Sequence, residues 1–287
     1  MSAQTDDIHE RIQTVKWTPS IYGSAGVDLD DPAELYHEAS KIYPSFVGRQ
    51  TRGARRLEAS KELQYSSVRA VKRNAHLPAV ELPRPSLPSV PLSDAVRVRR
   101  SARAFDRRPL TLGELATVLH TAYGVTHASL GEVGEGLPLR TVPSGGALYP
   151  LDIYVIALRV EGLARDLYHY DPLRHALELL HRESLVGRLR GLSVYPELVE
   201  PAGAIVLVAA MFWRSRFKYG LRGYRFALLE AGHLGQNLLL AAAAFDLAAV
   251  PVGGFYDGRV DDLLQIDGVN ESVVYGFSIG HRHDERA

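Results

Sequence analysis

No cysteine occurs in the 287 residues, which removes disulfides, thiolate metal sites, iron–sulfur clusters and cysteine nucleophiles together. Net charge is missing too. The 33 Lys plus Arg offset 33 Asp plus Glu, so nothing in the balance recruits nucleic acid or an anionic membrane. Met1–Glu10 is polar and acidic, without the apolar segment of a signal peptide, and a cytoplasmic location is expected. The most apolar stretches, around Ala202–Phe212 and Ala227–Val250, are too short or are interrupted by Glu230, His233, Gln236, Asn237 and Asp246. They read as buried core rather than membrane spans. The chain also lacks GxGxxG after a strand, the phosphate loop GxxxxGK with its Ser or Thr, the GxSxG elbow and HExxH. His169, His175, His281 and His283 have no carboxylate–histidine ligand spacing around them, so no metal site is expected. Catalysis must then rest on other side chains or on a bound cofactor.

The remaining pattern is that of a soluble globular chain with a substantial core. A short helix is expected at Pro32–Lys41 behind Asp30–Asp31, and a longer polar helix within Arg55–Val71. Residues 1–74 read as an N-terminal extension. Residues 75–92 read as a Pro-rich strap, since Pro78, Pro83, Pro85, Pro88 and Pro91 exclude helix and interior strand. Residues 93–287 read as one α+β domain. Thr111 and Glu114 form a capping box ahead of Leu115, Val118 and Leu119, which predicts a helix over Thr111–Ala122. Val125–Arg140 is glycine-rich and reads as a loop. Strands are expected at Leu151–Val160, Ala204–Phe212, Leu247–Val252 and Ser272–Ile279, with a hairpin over Leu167–Leu180. A short helix is expected near Asp257–Gln265. The longest helix should be Gly223–Asp246, whose Ala and Leu recur at three- and four-residue steps, with Glu230, His233 and Asn237 sharing a face.

Four segments carry chemistry. In Arg99–Phe105 (RRSARAF), an extended backbone projects Arg99, Ser101 and Arg103 to one side, a surface suited to a phosphate monoester. Pro143-Ser144-Gly145-Gly146 precedes a buried strand, and its paired glycines let backbone approach a flat ligand. Gly253-Gly254 offers a second such approach where another strand ends. Lys218-Tyr219 sets an ammonium beside a phenol just before the long helix, which can turn the tyrosine into a general base. An anionic planar ligand suits these groups better than a metal or nucleic acid does.

In this order, RRSARAF, PSGGALYP, KYGLRGYRFALLEAGHLGQNLLLAA and PVGGF resemble the flavin-dependent nitroreductase-fold proteins, and among them the SagB-type dehydrogenases. The resemblance covers Ser93–Gly280, with a weaker echo at Leu35–Tyr43. It implies an α+β three-layer α/β/α sandwich around a mixed, mostly antiparallel sheet, an intertwined homodimer, and one FMN at each of two interface sites. Arg99, Arg100, Ser101 and Arg103 would hold the phosphate and the flavin edge, with Arg282 adding a looser phosphate contact. Pro143, Ser144, Gly145 and Gly146 would line the isoalloxazine, and Gly253 and Gly254 would face its N5 region. Glu230, His233 and Asn237 would be structural hydrogen bonders. The activity implied is oxidation of a thiazoline or oxazoline ring on a peptide or carrier-protein substrate, within a biosynthetic complex, with Tyr219 as base and Lys218 tuning it. The alternatives are an NAD(P)H-dependent nitro or quinone reductase, and a non-catalytic scaffold.

Overall fold

The structure, a computed structural model, describes residues 31–42, 52–68, 71–129, 137–181, 185 and 188–283. The chain divides into two units, Met1–Val47 and Gly48–Ala287. In the first, helix α1 (Pro32–Ala39) starts where the Asp31 side chain accepts the Ala33 N–H at 2.7 Å. No helix among the described residues is long and apolar enough to cross a membrane.

The second unit opens with α2 (Arg52–Glu58) and α3 (Lys61–Val68), where one polar helix was expected. The break has a local cause: Ser60 Oγ accepts the Leu63 N–H at 3.1 Å and caps a new helix. Strand β1 (Ala79–Glu81) lies between Pro78 and Pro83 at a sheet edge, the one place in a sheet where neighbouring prolines cost no ladder bonds. Helix α4 (Leu92–Val98) follows Pro91. Helix α5 (Leu112–Tyr123) begins with the expected box: Glu114 N–H donates to Thr111 Oγ1 at 3.1 Å, and Thr111 N–H to Glu114 Oε2 at 2.8 Å. The expected loop after it instead holds an antiparallel ribbon, β2 (Val125–Ser129) with β3 (Leu137–Arg140). Its glycines are confined to the residues between the two arms.

Strands β4 (Leu151–Ala157), β5 (Leu167–Asp171), β6 (Ala176–His181), β7 (Ala204–Met211), β8 (Leu247–Val252) and β9 (Glu271–His281) join β1 in a seven-stranded sheet of order β1-β6-β5-β4-β7-β9-β8. Every strand pair in it is antiparallel, and parallel pairing is confined to isolated bridges. The remaining helices are α6 (Pro196–Val199), α7 (Trp213–Tyr219), α8 (Arg222–Ala244) and α9 (Asp257–Leu264). Alternate residues of β4 face two separate cores. Ile153 and Val155 pack with Leu119 of α5 and Leu234 and Leu238 of α8, whereas Tyr154 and Ile156 pack with Val260 and Leu263 of α9. The result is the expected α+β sandwich, with helices on both faces of the sheet.

The α9 face also carries a buried polar stripe that runs across the strands. His169 Nδ1 pairs with Glu178 Oε2 at 2.9 Å, and Arg214 Nη2 lies 2.9 Å from Asp152 Oδ2. Lys72 donates to Tyr154 Oη at 2.7 Å and to both Glu271 oxygens at 3.0 Å. Asn74 donates twice to Glu178. Three strands thereby fasten the segment that leads into β1.

Candidate active site

The basic segment lies along the outer edge of β8. Helix α4 ends at Arg99, which adopts extended backbone (φ −54°, ψ 120°). Ser101 then bridges Ala249 of β8, with the Ala102 N–H donating to Ala249 O at 3.1 Å. Phe105 bridges Arg282 and buries its ring against Ala248 and Val250. The expected extended path is therefore built, and it brings Arg282 to the same edge. Arg100 folds back to donate to the Arg97 and Arg99 carbonyls, and Arg103 reaches the Ser101 carbonyl at 3.4 Å. Among the described residues, Arg99, Arg100 and Arg103 have no carboxylate partner. Arg282 Nε sits 3.3 Å from Asp246 Oδ1 without hydrogen-bond alignment. Gly253 and Gly254 follow at the end of the same β8, where the Gly254 carbonyl accepts from Val194 N–H at 2.9 Å and Ser193 Oγ at 3.1 Å.

The second group joins segments about seventy residues apart in sequence. Lys218 and Tyr219 stand just before the long helix, as expected, where they close a short helix of their own, α7. Gly146, in the left-handed region at φ +66°, turns Pro143–Tyr149 directly onto them. A Cβ at Gly146 would lie 2.6 Å from Lys218 Nζ and 2.7 Å from Tyr219 Oη. Two atoms that close to one point are separated by at most the sum of those distances, about 5.3 Å. Phe226 closes the side of this group, 3.1 Å from where a Gly145 Cβ would stand and edge-on to the Tyr219 ring at 5.0 Å. Helix α2 backs it: a Cβ at Gly53 would overlap the Phe217 carbonyl and come 2.8 Å from Lys218 Cα. No motif around Gly53 marks that role, since only the folded chain brings α2 to α7.

On helix α8, Glu230, 2% exposed, receives the Tyr123 hydroxyl at 2.6 Å. Ser144 Oγ accepts the Tyr149 N–H at 2.9 Å. Burial pushes the Glu230 carboxyl up to about 7, against the lowering pull of Ser144, Tyr123 and Arg140. The same burial, with Glu230 nearby, holds Tyr123 protonated. Arg140 is buried with its guanidinium 4.3 Å from the Tyr123 ring centre and 4.7 Å from that of Tyr149; its Nε and Nη1 have no hydrogen-bond partner. Asn237 donates to the Thr141 carbonyl at 3.3 Å. Glu230 and Asn237 are thus the hydrogen bonders expected, seven residues apart on one helix face. His233, between them on the helix, is exposed.

A flavin mononucleotide fits what these residues offer. Guanidiniums without acid partners at an exposed sheet edge match a phosphate, and a glycine turn over an ammonium and a phenol matches a flat, polar-edged ring. His175 pairs with Tyr170, and His281 with Arg108 and the Pro109 carbonyl.

A family model described as the nitroreductase family matches residues 96–281. Among curated proteins, the chain is 36% identical over 187 residues to the nitroreductase-type protein MJ1384 of Methanocaldococcus jannaschii, covering 65% of this chain and 90% of that one. It is 30% identical to the trifolitoxin-processing protein TfxB of Rhizobium leguminosarum bv. trifolii, over 77% of this chain and 62% of TfxB. It is 35% identical to the microcin B17-processing protein McbC of Escherichia coli, over 45% of this chain and 49% of McbC. A chain of the E. coli microcin synthetase McbBCD complex with truncated pro-MccB17 shares the fold, with TM-score 0.54 and 22% identity over 88% of this chain and 92% of that one.

Proposed function

The chain belongs to the nitroreductase family, and from that premise we propose that it is an FMN-dependent dehydrogenase that oxidises thiazoline or oxazoline rings to azoles on a natural-product intermediate. The observation that carries this reading is the meeting of Gly146 with Lys218 Nζ and Tyr219 Oη. A reductase fed by a nicotinamide needs no such pair, whereas removing a ring Cα proton needs a base beside the ring-binding surface. Two relatives are named as processing proteins, of trifolitoxin and of microcin B17, which supports a peptide substrate and partner enzymes in a synthetase.

FMN, when bound, would accept the hydride. Arg99, Arg100, Ser101 and Arg103 would hold its phosphate, with Arg282 beside them; Pro143, Ser144, Gly145 and Gly146 would lie along the ring, and Gly253 and Gly254 would offer backbone N–H groups. Tyr219 takes the Cα proton, and Lys218 faces it when it carries charge. We infer a homodimer as the working unit. Leu92, Val96 and Val98 of α4 and Leu228 and Leu229 of the adjoining α8 are exposed, which is the kind of apolar surface a second copy covers.

The test is anaerobic. An azoline-bearing peptide should bleach the visible absorbance of the FMN-loaded protein, and Tyr219→Phe should abolish the bleaching while retaining FMN. Bleaching by NAD(P)H but by no azoline would put the reductase reading in its place.

A further inference from the structure

Zero net charge over the whole chain hides an uneven distribution around the Lys218–Tyr219 pair. Residues 201–229 contain no Asp or Glu and five cations, Arg214, Arg216, Lys218, Arg222 and Arg225. Helix α2, of sequence RGARRLE, adds three arginines against Glu58. The fold draws these two stretches together. Gly53 approaches α7 so closely that its Cβ would come 2.8 Å from Lys218 Cα, and the start of α8 rests on α7, where a Gly223 Cβ would lie 2.7 Å from Arg216 N. Two and three residues along a helix from Gly53, the Arg55 and Arg56 Cα atoms stand within about 10 Å of Lys218 Cα. Two of the cations are engaged inside the protein: Arg214 pairs with Asp152, and Arg216 lies 4.8 Å from the Trp213 ring centre. Among the described residues, Arg55, Arg56, Lys218 and Arg222 have no carboxylate partner. Arg55 and Arg56 are exposed, and the buried Arg222 Nε has no hydrogen-bond partner. Helix α8 also starts without an acid in its first turn and without a side-chain cap, so its positive end adds to the same face. Cations crowded in this way repel one another, and an anion relieves them.

We propose that this basic face holds an acidic stretch of the peptide substrate, with Arg55, Arg56 and Arg222 receiving its carboxylates while the reacting ring lies at Lys218 and Tyr219. This rests on the peptide substrate proposed above and names the chemistry of its flank. The guanidiniums come from two helices packed on α7 rather than from one turn, a spread that suits successive carboxylates of an extended chain better than a single phosphate. An extended chain advances about 3.3 Å per residue, so a span of about 10 Å with the reach of an arginine places the acids about three to five residues from the ring. Exposed pairs of this kind are individually weak and screened by salt, and several in register are what give the face its selectivity.

The experiment reads binding and needs no turnover. The purified full chain is titrated into two fluorescein-labelled eight-residue peptides, one with four central glutamates and one with four glutamines in their place, and anisotropy is followed at about 20 mM and about 200 mM salt. The glutamate peptide should bind at least about tenfold tighter at low salt and lose most of that margin at high salt. Arg55→Glu with Arg56→Glu should bring the two peptides within about twofold of each other, whereas reversing Arg84 and Arg165, exposed arginines of other segments, should leave the margin intact. Circular dichroism establishes that each variant is folded, and Arg55→Gln with Arg56→Gln decides the matter if the reversed pair is not. Equal binding of the two peptides overturns the proposal, as does a margin that survives the loss of Arg55 and Arg56 or that falls equally on reversing Arg84 and Arg165. Displacement of the glutamate peptide by NADPH at lower concentration than by unlabelled peptide also overturns it, and would give the face to a nicotinamide phosphate. The predicted margin in a protein that oxidises no azoline would uphold the acid-binding face and reject the reaction assigned above; azoline oxidation with equal binding would do the reverse.

Discussion

Replacing Gly146 by alanine separates the fold from the site, because its two costs fall in different places. The backbone cost is that of a Cβ at φ +66°, about 1–2 kcal/mol. For a domain of this size that lowers Tm by roughly 2–8 °C, at about 2–4 °C per kcal/mol. The steric cost falls on Lys218 Nζ and Tyr219 Oη, 2.6 and 2.7 Å from the new methyl. Comfortable contact begins near 3.5 Å, so each must withdraw by about 0.8–0.9 Å. Both atoms end flexible side chains and move rather than unfold the protein. A displacement of about 1 Å at reacting groups costs on the order of 100-fold in rate. The expected variant is therefore folded, slightly less stable, still yellow with FMN, and about 100-fold slower in azoline oxidation. Thermal melts, FMN titration and single-turnover bleaching read the three quantities separately. Native turnover in a folded Gly146→Ala protein would refute the reasoning, since it would mean that the turn does not touch the working pair.

Further predictions follow from the surroundings of the site. The Glu230 carboxyl, raised from 4.5 to about 7, costs the folded state about 3 kcal/mol at about 1.4 kcal/mol per tenfold. A raised acid is fully stabilising below its unfolded value and loses this as pH rises through the folded one. The native protein should then lose up to about 3 kcal/mol against Glu230→Gln between pH 4.5 and 8 in urea denaturation, and parallel curves would contradict it. Glu178→Ala removes the acceptor of His169 and Asn74 in the buried stripe and should cost about 3–5 kcal/mol; a Tm within 2 °C of native would count against that network. Gly53→Val should push α2 off the Phe217 carbonyl and lower turnover with little change in FMN affinity. Unchanged turnover would show that α2 does not back the pair.

What could be read from sequence was local. The capping box at Thr111 and Glu114, the small-residue period of α8 and the apolar run of β7 each announce their element without help from the rest of the chain. The break between α2 and α3 was also written locally, in Ser60, but was hidden by the polar composition on both sides. The buried stripe was not legible. Asp152 and Tyr154 lie in a strand with both faces covered, so no alternation marks them, and their partners, Arg214 for Asp152 and Lys72 and Glu271 for Tyr154, stand far off in sequence. The site divides in the same way. Arg99–Phe105, the two Gly-Gly turns and Lys218-Tyr219 were recognisable as pieces. That Gly146 rests on Lys218, that Ser101 pairs with Ala249 and that Arg140 stacks beside Tyr123 depend on how segments far apart in sequence are brought together by the fold.

The visible absorption spectrum of the purified protein, with identification of whatever chromophore denaturation releases, tests the flavin assignment most directly. Flavin bands and released FMN are the predicted result. A colourless protein that also fails to take up added FMN would contradict it and leave the fold without the redox function proposed here.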